Sequence, residues 1–376
     1  MTSATDNPEA ERLFRATRDI PTPALVIDEA ALDRNIARMA GFAQRAGRSL
    51  RPHAKTHKSV MIAQKQIAAG AIGICCATVS ELQAMAEGGI EGLLLTAPVQ
   101  DMAKIGSLIA VAKKTPLLIA VDHPDQIALL AARLPAEMSA IGILVDIDVG
   151  QRRTGVCEVR DTIAIARQAS ADKRLSFCGV QGYAGHVQHI PDFEERSRES
   201  EKVSVLIGEH LAGLREAGME TKIVSGGGTG THAIDLAHEP FTEIQAGSYV
   251  FMDADYARIR SRGGDVLPFE CSLYMLTTVT SANRPGQLTI DAGTKSLAVN
   301  GPAPHVIIGA PEGAGFSFAG DEHGIISLPE TNRAPRLGER ILMSVTHCDP
   351  TINLFSAIHT VSQNGDVRTS PVVGRN

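Results

Sequence analysis

Lys55 lies in the segment Leu50-Arg51-Pro52-His53-Ala54-Lys55-Thr56-His57-Lys58, flanked by a histidine two residues away on each side and by an arginine. Cationic neighbours and partial desolvation both disfavour an ammonium, so this spacing predicts a lysine with a lowered pKa. A neutral lysine is a nucleophile. Its common use is a Schiff base with a carbonyl compound or with pyridoxal phosphate. The plainer alternative is a basic surface loop.

Other groups carry chemistry further along. Ser225-Gly226-Gly227-Gly228-Thr229-Gly230 offers backbone N–H groups that can approach an anion. It is neither a Walker loop nor GxGxxG, and taken alone a tight turn explains it. Thr346-His347-Cys348-Asp349-Pro350 closes a strand-like run. In an extended segment positions i and i+2 share a side, so His347 and Asp349 are placed to grip one metal ion, with Cys348 facing away. An imidazole with a carboxylate suits Mn²⁺, Mg²⁺ or Zn²⁺. A buried strand end with a satisfied histidine is the alternative. Asp321-Glu322-His323-Gly324 is a similar cluster, best explained by turn chemistry. Cys75 and Cys76 read as small apolar core residues.

The elements that must position these groups alternate. Short apolar runs at Pro23–Asp28, Ser49–His53, Gly73–Ala77, Gly92–Ala97, Pro116–Val121, Ile141–Asp148, Phe177–Tyr183, Thr221–Ser225 and Thr242–Ala246 read as strands, with helical patterns between most of them. Asp28 can cap the helix that follows, whose inward stripe includes Leu32, Ile36 and Met39. Repeated βα units imply a parallel sheet, and their number favours a (β/α)₈ barrel over a doubly wound sheet. Nine strands are one too many for a barrel. On a barrel, Lys55, the Asp146–Arg153 stretch and the group Tyr183, His186 and His189 all fall at strand C-terminal ends, where active sites are built. The glycine loop and the Ala246-Gly247-Ser248-Tyr249 corner follow the last two strands, the usual phosphate cradle of such barrels. Beyond Arg258 helical periodicity fades and strand-like runs are separated by Gly, Pro and Asn. The expected organisation is an N-terminal arm over 1–20, the barrel over 21–258 and an all-β domain over 259–376.

Composition sets limits. With 376 residues, 44% of them hydrophobic and 21% charged, the chain fits a soluble protein of two domains. The net charge of −6 and the absence of tryptophan argue against a nucleic-acid binder. No apolar run is long enough to span a bilayer, and the polar N-terminus lacks a signal core. Six scattered cysteines without a CxxC pair suggest reduced thiols in the cytoplasm.

In order along the chain, TPALVID, RPHAKTHKS, SGGGTG, EIQAGSYVFMDADY, DEHG and HCDPT resemble the D-threonine aldolase and D-serine dehydratase group. These are fold-type III pyridoxal-phosphate enzymes with an alanine racemase-like architecture, and the resemblance covers almost the whole chain. It implies that Lys55 holds the cofactor. Gly227, Gly228 and Thr229, with Gly247 and Ser248, match the phosphate cradle. Arg153 and Tyr183 match residues lining the cofactor, His189 the base near the substrate hydroxyl, and His347 and Asp349 the metal ligands. The first strand is expected to join the β-domain, which leaves eight for the barrel, and a homodimer partner to complete the site. Dehydratases of the group resemble His-x-Cys at the metal and aldolases His-x-Asp, so this chain is similar to the aldolase branch. The implied reaction is metal-assisted retro-aldol cleavage of a small D-β-hydroxy-α-amino acid, D-threonine-like, to glycine and an aldehyde, with Mn²⁺ as the expected ion. The alternatives are a dehydratase acting on D-serine or D-3-hydroxyaspartate, a racemase, and a non-catalytic carrier of pyridoxal phosphate.

Overall fold

Eight short parallel strands form one sheet in the order Ser49–Leu50, Glu243–Ile244, Ile223–Gly226, Leu175–Gly182, Ile141–Asp146, Leu117–Val121, Leu93–Leu95 and Cys75–Cys76. A parallel bridge between His53 and Cys75 joins the two ends of this path and closes it into a ring. The structure, a computed structural model, describes residues 8–329 and 335–375. Residues 1–7 of the expected N-terminal arm lie outside the described residues. The remainder of that arm carries the helix Pro8–Ala16.

The chain divides into two compact units. One holds Ala37–Gly247, Ile259–Asp265 and Val373–Asn376, and the other Met1–Ile36, Ser248–Arg258 and Val266–Val372. Each is therefore discontinuous in sequence.

The barrel interior changes character along its axis. Cys75, Leu94 and Leu144 pack together, with Leu118, Cys178 and Ile223 against them, into an apolar plug drawn from six consecutive strands. Burial pushes the Cys75 and Cys76 thiols well above their ordinary pKa, so both remain neutral packing groups. Two residues further along the same strands come Thr96, Asp146 and Ser225, on the same face by the two-residue period. That layer is polar and closed by hydrogen bonds. Gln181 donates to the Thr96 carbonyl at 2.9 Å and to Asp146 at 2.8 Å, and it accepts from Gln245 at 3.1 Å. Gln245 donates to Ser225 at 2.9 Å, and Ser225 to Glu243 at 2.7 Å. Glu243 accepts both arms of Arg51, each at 2.9 Å. A buried polar group without a partner costs about 1–3 kcal/mol, so such a layer is stable only because each member is engaged.

The other unit is a nine-stranded, mostly antiparallel sheet among the described residues. One inner strand comes from the start of the chain: Ala24–Asp28 pairs antiparallel with Leu273–Arg284 and parallel with Ala357–Val361. All five of its residues are buried, consistent with its unbroken apolar lettering. The nine sequence-predicted strands thus separate into eight for the ring and one for this sheet. Leu13, Val26, Leu276 and Leu342 form part of its core. Asp28 accepts from the Ala30 amide at 3.1 Å at the entry to helix Glu29–Arg45, and Leu32, Ile36 and Met39 are buried as its stripe predicts. Among the described residues, no helix is long and apolar enough to cross a membrane.

Candidate active site

At the barrel rim, Lys55 sits in a single 3₁₀ turn, Ala54–Thr56, directly after the first barrel strand. It is half-buried, and its ammonium lies 5.5 Å from the centroid of the Tyr183 ring. The two histidines beside it do not act as cations. Nδ1 of His53 accepts the Lys55 amide at 3.3 Å, and Nδ1 of His57 accepts the Ser59 amide at 3.1 Å. An imidazolium has no lone pair to accept with, so both rings are neutral in this arrangement. Arg51 is compensated by Glu243. Neither the two histidines nor Arg51 thus presents Lys55 with an uncompensated positive charge, contrary to the expectation from spacing. Lys58 is engaged elsewhere, since its ammonium is buried on Glu81 at 2.6 Å and donates to the Gly374 carbonyl at 3.0 Å.

Arg153 and Tyr183 line one small cavity of about 10 Å³ together with Asp146, Gln181 and Thr154. Asp146, which opens the rim stretch read from the sequence, is buried. Burial pushes its carboxyl up to about 6, against the pull of Gln181 and Thr154, which donate to it. His189 is half-buried and lies on the same loop as Tyr183, and His186 is exposed.

The glycine loop is held from behind. Gln188 accepts the Gly230 amide at 3.0 Å and the Thr231 amide at 3.3 Å. Asp235 accepts from the Gly228 amide and from the Thr231 hydroxyl, while burial raises its carboxyl to about 7. Gly227 has φ +67°, and a Cβ there would stand 2.6 Å from Asp235, so this position requires glycine. The amides engaged by Gln188 and Asp235 fix the loop and are not offered to a ligand, which narrows the cradle expected from sequence. Thr229 is buried, and its carbonyl meets His232 Nδ1 at 2.7 Å. At the second corner a Cβ on Gly247 would stand 2.6 Å from Thr56 Oγ1, itself a buried hydroxyl with no hydrogen-bond partner. Bare glycine backbone beside an orphaned hydroxyl, one residue from a half-buried lysine, fits an aldehyde-bearing phosphate ligand.

In the sheet unit, the strand expected through Asp349 ends sooner. His347 is extended (φ −126°, ψ 126°) but is the N-cap of a helix, Cys348–Asn353. The i, i+2 geometry is therefore not the one present. Cys348 does not face away either: its thiol, His347 and Asp253 have ligand-type atoms within 4.8 Å of one another. Asp349 is half-buried, and its Oδ1 accepts from Ser248 Oγ and from the Cys348 thiol, both at 3.4 Å. Ser248 thus directs its hydroxyl to the carboxylate rather than to an anion. Sequence reading missed Asp253. It accepts from His347 Nδ1 at 3.1 Å and from the Cys348 amide at 2.8 Å. A carboxylate can only accept here, so Nδ1 carries a proton, and in the neutral ring Nε2 keeps the lone pair that a metal needs. A neutral imidazole in that tautomer beside a carboxylate is a donor set that suits a divalent ion. The Asp321–Gly324 cluster is a turn before strand Gly324–Ser327, and Lys295 pairs with its Glu322 at 2.6 Å.

Two family models account for most of the chain. One, described as alanine racemase, N-terminal domain, matches residues 27–255, and one described as putative serine dehydratase domain matches residues 272–361. With the ring of eight parallel strands and the separate sheet, they make the chain a fold-type III pyridoxal-phosphate protein with an alanine racemase-like fold. More narrowly, it belongs to the D-threonine aldolase and D-serine dehydratase-like family. It is 36% identical over 342 residues to a D-threonine aldolase of Arthrobacter sp, spanning 91% of this chain and 89% of that one. A 3-hydroxy-D-aspartate aldolase of Paracoccus denitrificans (strain Pd 1222) is 35% identical over 356 residues, with 93% and 91% covered. The crystal structure of D-threonine aldolase from Filomicrobium marinum superposes with a TM-score of 0.90 at 34% identity, covering 95% of this chain and 96% of that one.

Proposed function

We propose that this protein is a carbon–carbon lyase that cleaves D-β-hydroxy-α-amino acids of the D-threonine type to glycine and an aldehyde, with pyridoxal phosphate and a divalent metal. The observation that carries the reading is the carboxylate at position 349 beside His347, the ligand pair of the aldolase branch, in a chain whose barrel presents Lys55 at its rim. When bound, pyridoxal phosphate supplies an electron sink for the bond broken at Cα, and the metal a Lewis acid for the β-oxygen.

The chain's own residues divide the remaining work. The Lys55 amine would anchor the cofactor through its aldehyde, with the Tyr183 ring lining the site beside it. Gly227 and Thr229, with the backbone of Gly247 and Ser248, would form the phosphate end, while Gly228 shapes the loop through its amide to Asp235. Asp235 and Gln188 keep the glycine loop in shape. Arg153, which lines the same small cavity as Asp146 and Tyr183, would contact the cofactor. His347 and Asp349 hold the metal, and His189 takes the proton of the substrate hydroxyl. The proposal includes Mn²⁺ as the working ion, with Mg²⁺ or Zn²⁺ as substitutes, and a cytoplasmic homodimer.

A second reading, β-elimination from D-serine or D-3-hydroxyaspartate, is favoured by the match of residues 272–361 to the putative serine dehydratase domain. Purified protein with Mn²⁺ and a panel of D-β-hydroxy amino acids separates the two. Glycine and aldehyde are expected; ammonia and a keto acid in their place would overturn the aldolase assignment. Activity that survives exhaustive chelation would remove the metal from it.

A further inference from the structure

Asp253, His347 and Cys348 look like a three-residue metal cluster, yet the hydrogen bonds of Asp253 argue against that role. Its Oδ1 accepts the amides of Asp255 at 3.0 Å and Tyr256 at 2.9 Å. Its Oδ2 accepts His347 Nδ1 at 3.1 Å and the Cys348 amide at 2.8 Å. Four donors occupy the four lone-pair sites of one carboxylate, which is buried with 3% of its surface exposed. To ligate a metal, Asp253 would have to abandon at least one buried donor and leave it unpaired. Its bonds instead reach both expected ligands. It sets the tautomer and direction of the His347 ring, and through the Cys348 amide it fixes the first turn of the helix that carries Asp349.

We propose that Asp253 is a positioning residue that turns His347 and Asp349 into a metal site without itself touching the ion. This rests on the metal reading given under the proposed function. Ligating histidines commonly donate their second ring N–H to a carboxylate, and loss of that partner typically weakens metal binding 10–100-fold. Asparagine is the informative substitution. It keeps the size of Asp253 but has one accepting oxygen and two N–H donors, so it cannot satisfy four donors. Where its amide meets the ring, it demands Nδ1 as acceptor and moves the proton to Nε2.

The test uses cofactor-loaded enzyme and calorimetric titration with Mn²⁺. Asp253→Asn is expected to weaken binding roughly 10–100-fold, while His347→Ala abolishes it and both keep the cofactor's absorbance. Asp253→Asn binding at wild-type affinity overturns the proposal. If His347→Ala also binds as wild type, the metal reading itself has failed, and the proposal with it. Two measurements on unmutated protein hold even if the variant misfolds. Histidine ¹⁵N spectra without metal should show His347 protonated at Nδ1, and the opposite tautomer overturns the proposal. Amide exchange of the segment containing Cys348 should stay protected when Mn²⁺ is added. Loss of protection would mean that Asp253 has swung onto the ion, which also overturns it.

Discussion

The polar layer of the barrel and the corner around Asp253 both bury charged groups, but they do so on opposite plans. In the barrel, Arg51, Glu243, Ser225, Gln245, Gln181 and Asp146 come from five different strands or strand ends and form a chain in which each side chain serves two neighbours. At the corner, one carboxylate gathers two short segments, 253–256 and 347–348. A distributed network passes a defect along and dilutes it, whereas a hub loses everything at once. The barrel layer is therefore suited to hold a rim in shape under changing charge, and the corner to hold two ligands at a fixed separation.

The largest expected effect comes from Lys55→Ala, which removes the anchor and leaves both scaffolds intact. Activity should fall by roughly 10³-fold or more, with the cofactor's characteristic absorbance lost and the melting temperature little changed. A variant that kept that absorbance would sink the cofactor assignment. Next is Glu243→Gln, which strands the Arg51 charge in the barrel. Breaking a buried ion pair from one side costs about 3–5 kcal/mol, to be read from denaturant unfolding; a loss under about 1 kcal/mol would show that the layer is not a cooperative unit. Gln181→Leu deletes the donor to Asp146 and the acceptor for Gln245, and should cost about 1–3 kcal/mol. If combining it with Glu243→Gln gives a strictly additive loss, the contrast between network and hub is broken.

The smallest effect is a pH dependence. The folded carboxyl of Asp146 is raised to about 6 from 3.8. Between those values the folded state holds a proton that the unfolded state has released. Stability therefore falls as pH rises through that window and is flat above it, by at most about 3 kcal/mol. Asp146→Asn should flatten the unfolding free energy between about pH 4 and pH 6 relative to wild type. An unchanged slope would mean that Asp146 does not titrate there.

Much of this was legible in the residues. All nine βα-region strands appear where apolar runs predicted them, and Cys75 and Cys76 are both buried as small hydrophobes, Cys75 in the plug. What escaped has physical reasons. The helix Cys348–Asn353 was read as the end of a strand, although Pro350 falls within its first turn, a position where proline needs no N–H partner. Asp253 lies 94 residues from His347, a separation that no local pattern spans. The inward polar layer did leave a trace, because Thr96, Asp146 and Ser225 each follow an apolar residue at i−2 on an otherwise apolar strand. A polar side chain on the buried parity of a strand must find a partner, and several such strands point to a shared one.

The ends of the chain have a consequence for how the protein is made. Strand Ala24–Asp28 leaves the ribosome early but waits for Leu273–Arg284 on one side and Ala357–Val361 on the other. The barrel unit also waits, for the Val373 amide that donates to the Lys58 carbonyl at 2.8 Å and for the Gly374 carbonyl that receives the Lys58 ammonium. Neither unit can reach its final pairing until these later segments have been made. A nascent chain therefore carries an unpaired apolar strand until Leu273–Arg284 has been made, a long exposure to mispairing that makes the arrival of these late partners a checkpoint for both units.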